Sequence, residues 1–116
     1  MSDIHRSNSA VIDDLVEAYN TGDARRFADF FAEEAVHGVL HSDQYLHGRD
    51  AIHARYVEVF AMHPQNRSDV VNRMAFGPFV LDHETVSRSP DSEPFEVVAI
   101  YTFEDGLIKR LDFVRT

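Results

Sequence analysis

Tyr19-Asn20-Thr21-Gly22-Asp23-Ala24-Arg25-Arg26-Phe27-Ala28-Asp29-Phe30-Phe31-Ala32-Glu33-Glu34-Ala35-Val36 reads as a helix, a glycine break, a second helix and the approach to a strand. Upstream, Val11, Ile12, Leu15, Val16 and Tyr19 fall on one stripe at helical spacing, and Ser7, Asn8 or Ser9 can accept the free amides at the helix start. Gly22 supplies the permissive backbone at the stop. Asp23 can cap a short second helix whose Phe27, Phe30 and Phe31 recur at three and four residues, with Arg25, Arg26 and Asp29 turned outward. A strand is expected over Ala35 to Leu40, with Gln44 to Leu46 returning antiparallel across the His41-Ser42-Asp43 turn. A third helix begins near Gly48, has Asp50 in its first turn, presents Ile52, Tyr56, Val59 and Phe60 on one face, and must end before Pro64.

From Asn66 onward the period changes from helical to alternating, which marks an antiparallel sheet with one face on the core. Arg67 to Phe76, Phe79 to Arg88, Phe95 to Glu104 and Leu107 to Arg115 are strand-length runs, separated by Gly77-Pro78, the Ser89 to Pro94 loop and the hairpin signal Asp105-Gly106. Helices followed by a meander predict an α+β domain with the helices segregated to one face. The 116 residues fit a single domain spanning 1–116.

Hydrophobic residues at 44% supply enough material for a core, and a formal net charge of -9 repels phosphate backbones and anionic headgroups. Neither nucleic acid nor membrane is therefore an expected partner. With no cysteine, a disulfide, a thiol nucleophile and a thiolate metal site are excluded. The polar run Met1 to Ser9 lacks the apolar stretch of a secretion signal, so a soluble cytoplasmic protein is the expectation.

Tyr19-Asn20-Thr21-Gly22-Asp23, Phe30-Phe31-Ala32-Glu33-Glu34-Ala35, Gly48-Arg49-Asp50-Ala51-Ile52 and the closing Phe103-Glu104-Asp105-Gly106-Leu107-Ile108 resemble the nuclear transport factor 2-like superfamily, which includes ketosteroid isomerase and the SnoaL-like polyketide cyclases. The resemblance covers nearly the whole chain. It implies a cone-shaped fold in which a curved, mixed or antiparallel sheet wraps around three helices and encloses a pocket, and a homodimer formed through the outer sheet face. It marks fold rather than chemistry, because the superfamily hosts unrelated activities. Aligned on the shared segment, the catalytic tyrosine of ketosteroid isomerase falls on Leu15 and its aspartate base on Val39, while the late-strand acid falls at or beside Tyr101. Two of the three groups are thus missing, and a standard ketosteroid isomerase is not expected.

His37 and His41 flank Val39 at two-residue spacing, so a regular strand puts both on its face, and an imidazole pKa of about 6.5 suits acid/base work near neutrality. The competing reading is an exposed edge with solvated histidines. Leu81-Asp82-His83-Glu84-Thr85 interrupts an apolar strand with ionisable groups, His83 facing one way and Asp82 with Glu84 the other. One of Asp82 and His83 then shares a face with Tyr101 across the hairpin, and a carboxylate there either orients a histidine or pairs with an arginine across the sheet. Asp112, between Leu111 and Phe113, has the same ambiguity.

The catalytic candidates are therefore His37, His41, Tyr101, Asp82 and Asp112. Candidate ligand-binding walls are Tyr19, Phe31, Val39, Tyr56, Phe60, Phe76, His83, Phe103 and Phe113. His47, His53 and His63 carry no special signal, and His5 belongs to a frayed terminus. No metal motif, phosphate loop or nucleophile elbow is present, so no metal or cofactor is expected. The expected partner is a small apolar molecule bearing a carbonyl or hydroxyl, handled by an acid/base enzyme of isomerase, cyclase or dehydratase type. A non-catalytic ligand-binding or protein-interaction module is the alternative.

Overall fold

In a computed structural model the described residues are 7–115; His5 and the other residues before 7, on which expectations above fall, lie outside them. Ser7 caps α1 (Asn8–Thr21) by accepting from the Ala10 amide, and Gly22 ends it at φ 73° with amides returning to Ala18 and Tyr19. Asp23 accepts from the Arg26 amide to start α2 (Ala24–Asp29). Phe30 closes that helix, and Phe31, expected on it, is instead the first residue of β1 (Phe31–Val39). The strand thus begins earlier than its apolar pattern indicates. β2 (Tyr45–His47), α3 (Arg49–Met62), β3 (Arg67–Phe76), β4 (Phe79–Ser87), β5 (Phe95–Glu104) and β6 (Leu107–Arg115) follow.

The six strands form one curved sheet in the order β2-β1-β6-β5-β4-β3. Every pairing is antiparallel except β1 with β6. All three helices cover the same face: α1 packs on β3 and β4, while α3 packs on β1 and β2. Between them Ile12, Leu15, Phe27, Phe31, Ile52, Ile108 and Leu111 make a buried core. Among the described residues no helix is long and apolar enough to cross a membrane.

Three local features aim the side chains that matter. First, Asn20 of the opening segment grips the backbone of Ser68 at two points, donating to its carbonyl at 2.9 Å and accepting from its amide at 2.7 Å. A side-chain amide here serves β3 as another strand would, and fixes Ser68 against α1. Second, β3 slips register between Val70 and Asn72. A bulge reverses the in-out alternation downstream of it, so Arg73 points inward opposite Asp82 and Met74 points out. Third, Gly38 leaves room for the Tyr45 ring: a Cβ there would lie 2.6 Å from the Gln44 carbonyl and 2.7 Å from that ring. Tyr45 crosses the glycine to donate to Asp112 at 2.7 Å on the next strand.

Candidate functional site

Between the helices and the sheet lies a cavity of about 740 Å³. Leu15, Val16 and Tyr19 of α1, Phe27 of α2, Val59 of α3 and Val97, Leu111 and Phe113 of the sheet form its apolar walls. Its volume suits a drug-sized ligand. Four of its polar groups come from different elements: His37 on β1, Tyr56 on α3, Glu84 on β4 and Tyr101 on β5.

His37 is only 7% exposed, and its Nε2 lies 2.6 Å from the Tyr56 hydroxyl. Burial lowers its pKa to about 4, against a raising contact with its own backbone and with a further lowering by the Arg55 charge. The imidazole is therefore neutral at pH 7, and its Nδ1 has no hydrogen-bond partner. A neutral imidazole carries one N–H; whichever nitrogen bears it, the His37–Tyr56 pair retains a donor beyond the hydrogen bond it makes internally. Burial raises the Tyr56 and Tyr101 hydroxyls well above the usual phenol range, with the Glu84 charge adding to both, so each stays protonated.

Glu84 is 7% exposed. The Ser68 hydroxyl donates to its Oε1 at 2.8 Å, and Oε2 is buried with no partner. Burial raises its pKa to about 7, opposed by the Ser68 hydrogen bond and the Arg73 charge and assisted by Asp82. A carboxyl poised at neutrality, with one oxygen free, can give or take a proton.

Of the catalytic candidates, His37 and Tyr101 lie together on the cavity wall and the other three lie elsewhere. His41 falls beyond the end of β1, exposed in a left-handed turn at φ 65°, because the strand stops at Val39, two residues short of it. Asp82 faces inward as alternation requires and is 0% exposed, but both of its oxygens are taken by Arg73, from Nε at 2.6 Å and Nη2 at 2.9 Å. It is a structural ion pair outside the cavity lining. Asp112 sits opposite Gly38 on the other face of the sheet, held by Tyr45 and by Arg110 at 2.8 Å.

The ligand-binding candidates divide in the same way. Tyr19, Val39, Tyr56 and Phe113 line the cavity. Phe31, Phe60 and Phe103 are instead packed into or against the core and do not reach it, since side-chain volume alone does not separate filling from lining. His83 faces outward, 2.5 Å from Glu96 of β5. Phe76 is 76% exposed on the β3–β4 hairpin, because the bulge that turns Arg73 inward sends Met74 and Phe76 out.

Glu84, Ser68, Arg55, Arg88 and Arg115 also line the cavity and were not among the candidates. The signal for Glu84 was present: it shares the inward face with Asp82, two residues away. Missing was the information that Arg73 consumes one carboxylate and leaves the other. Among the described residues no three His, Asp or Glu side chains come together to hold a metal ion.

The sequence matches the SnoaL-like domain over residues 12–111. The chain belongs to the SnoaL-like family. Similar in structure to this SnoaL-like domain is an uncharacterized cystatin-fold protein from Novosphingobium aromaticivorans, 29% identical over 95% of this chain and 99% of that one, with a TM-score of 0.88. A candidate polyketide cyclase from Sinorhizobium meliloti (22% identity, 90% and 93% coverage, TM-score 0.76) shares the fold. So does a nuclear transport factor 2-like protein of unknown function from Burkholderia xenovorans (17%, 93% and 81%, 0.78). No curated protein matches the sequence.

Proposed function

We propose that this SnoaL-like domain binds a small, largely apolar molecule bearing a carbonyl and moves a proton at it, as an isomerase, a cyclase or a dehydratase does. One observation carries the reading: Glu84, in the wall of an apolar cavity, has a free Oε2 and a pKa of about 7. In this scheme Glu84 in its carboxylate form removes a proton from carbon beside the carbonyl. Tyr101 and the His37–Tyr56 pair donate to the oxygen on which charge develops, and Glu84 returns the proton. Their hydroxyls remain protonated in that role because burial raises both. The fold shared with a candidate polyketide cyclase is compatible with this chemistry but does not carry it.

Deuterium exchange into a panel of cyclic ketones, followed by NMR, tests the scheme. Wild type should accelerate exchange, Glu84→Gln should abolish the acceleration, and Tyr101→Phe should reduce it roughly tenfold through loss of one hydrogen bond. Exchange by Glu84→Gln at the wild-type rate, or none above buffer by wild type, eliminates Glu84 as the base.

We propose further that a second copy of the chain covers the outer sheet face. Leu81, Val98, Ile100 and Val114 project there at neighbouring registers, with Met74 and Phe76 beside them, and Met74 and Phe76 are strongly exposed. Sedimentation velocity should give a dimer for wild type and a monomer for Ile100→Asp; a wild-type monomer at about 100 µM, a concentration at which an interface of ordinary affinity is saturated, removes the proposal.

A further inference from the structure

The cavity rim is rich in arginine, in a chain whose formal net charge is -9. Arg88, one residue beyond β4, and Arg115, the last residue of β6, both lie by the Phe95 ring at the start of β5, with guanidinium carbons 5.2 Å and 6.0 Å from its centroid. Arg55 of α3 joins them in the lining. Elsewhere in the molecule Arg25, Arg26, Arg67, Arg73 and Arg110 each have a carboxylate within 4.0 Å. Arg88 and Arg115 have none among the described residues; Arg88 donates only to the neutral side chain of Asn66, at 3.2 Å. The cavity's own carboxylates, Asp43 and Glu84, form no ion pair with either.

This arrangement differs from an ordinary solvated charge in three ways. Phe95 lies within cation–π range of both guanidinium groups, a contact that takes up none of their N–H donors. Asn66 is buried and holds one end of Arg88 in place, so part of the ordering cost is met before a ligand arrives. Finally, the Arg88 and Arg55 charges are felt at the buried Tyr56 hydroxyl, which places them within electrostatic reach of the interior.

We propose that Arg88 and Arg115, gathered at Phe95, form an anion-binding subsite at the cavity mouth, and that the ligand is an apolar molecule ending in a carboxylate. The carboxylate is held at the rim by N–H donors in pairs, and the apolar body extends inward toward Tyr101, His37 and Glu84. The subsite sets which end of the ligand enters first. This inference rests on reading the cavity as the ligand site, and it deepens that reading by naming a substrate class.

A displacement experiment separates the two. The neutral fluorophore N-phenylnaphthylamine is bound to the protein and displaced by decanoate or by decanol, molecules of the same chain length that differ in the charged end. Wild type should bind decanoate about tenfold more tightly, the size of effect expected for one charge-assisted pair. In Arg88→Gln and Arg115→Gln that preference should shrink to about threefold or less, with affinity for the fluorophore and for decanol retained. Added sodium chloride should weaken decanoate selectively in wild type, a readout that needs no variant. Failure of the fluorophore to bind at all overturns the cavity reading and the subsite together. A fluorophore that binds while decanol equals or outcompetes decanoate overturns the subsite alone.

Discussion

Arg73→Met is expected to lower the unfolding free energy by roughly 3–5 kcal/mol, the cost of leaving a buried carboxylate unpaired. Asp82 is 0% exposed, and Arg73 supplies both of its hydrogen bonds from the neighbouring strand. The guanidinium is itself bound to α1, donating from Nη1 to the Ser9 carbonyl at 3.1 Å and to Asp13 at 2.6 Å. The Asp82 contact is the main reason Arg73 is held more firmly protonated than usual. Asp13 is 69% exposed, so Asp13→Ala should cost less than about 1 kcal/mol. The double variant Arg73→Met/Asp82→Leu should recover most of the loss, because an apolar pair of similar volume avoids the desolvation penalty. Urea denaturation followed by circular dichroism measures all three. A loss below about 1 kcal/mol for Arg73→Met would show that Asp82 needs no cation there.

Glu84→Gln and His37→Gln should tilt the pH dependence of stability in opposite directions. Folding raises the Glu84 pKa to about 7 from an ordinary value near 4.5, so the native state binds the extra proton. Stability from Glu84 is complete below about pH 4.5 and is lost as pH rises toward 7. For His37 the folded value is about 4 against 6.5, so its contribution is complete above about pH 6.5 and is lost as pH falls toward 4. Between pH 4.5 and 6.5 the two oppose one another, each by about 2 kcal/mol. Relative to wild type, Glu84→Gln should gain that amount as pH rises across the window and His37→Gln should lose it. Urea midpoints at both ends of the window, converted with a common m-value, measure the difference. Parallel behaviour of variant and wild type would mean that the group concerned titrates normally, and for Glu84 the proton-transfer scheme would lose its base.

The elements of the fold could be read from the chain because each is announced by local chemistry. Ser7, Gly22 and Asp23 cap helices through their own side chains or backbone freedom, Pro64 forbids a longer α3, and Asp105-Gly106 makes the last hairpin. Period-two alternation also placed Asp82 and Glu84 on one face and His83 on the other, as found. The candidate site was only partly legible. Alternation sorts residues onto faces but cannot say which inward group meets a partner. The β3 bulge turns Arg73 toward Asp82, a contact that no spacing rule reveals. The same slip sends Phe76 into solvent, and the end of β1 at Val39 leaves His41 in a turn.

The sequence by itself determined the order of helices and strands, the two faces of β4 and the apolar excess that makes a core, since these depend on neighbours a few residues apart. Only the tertiary structure decided that Glu84 keeps a free oxygen, that His37 meets Tyr56 and that Arg88 and Arg115 meet at Phe95. Burial and partnership are properties of residues far apart in the chain: 19 positions separate His37 from Tyr56, and 16 separate Ser68 from Glu84. Desolvation, which moves both titrating groups away from their ordinary behaviour, exists only after the sheet has closed over the helices.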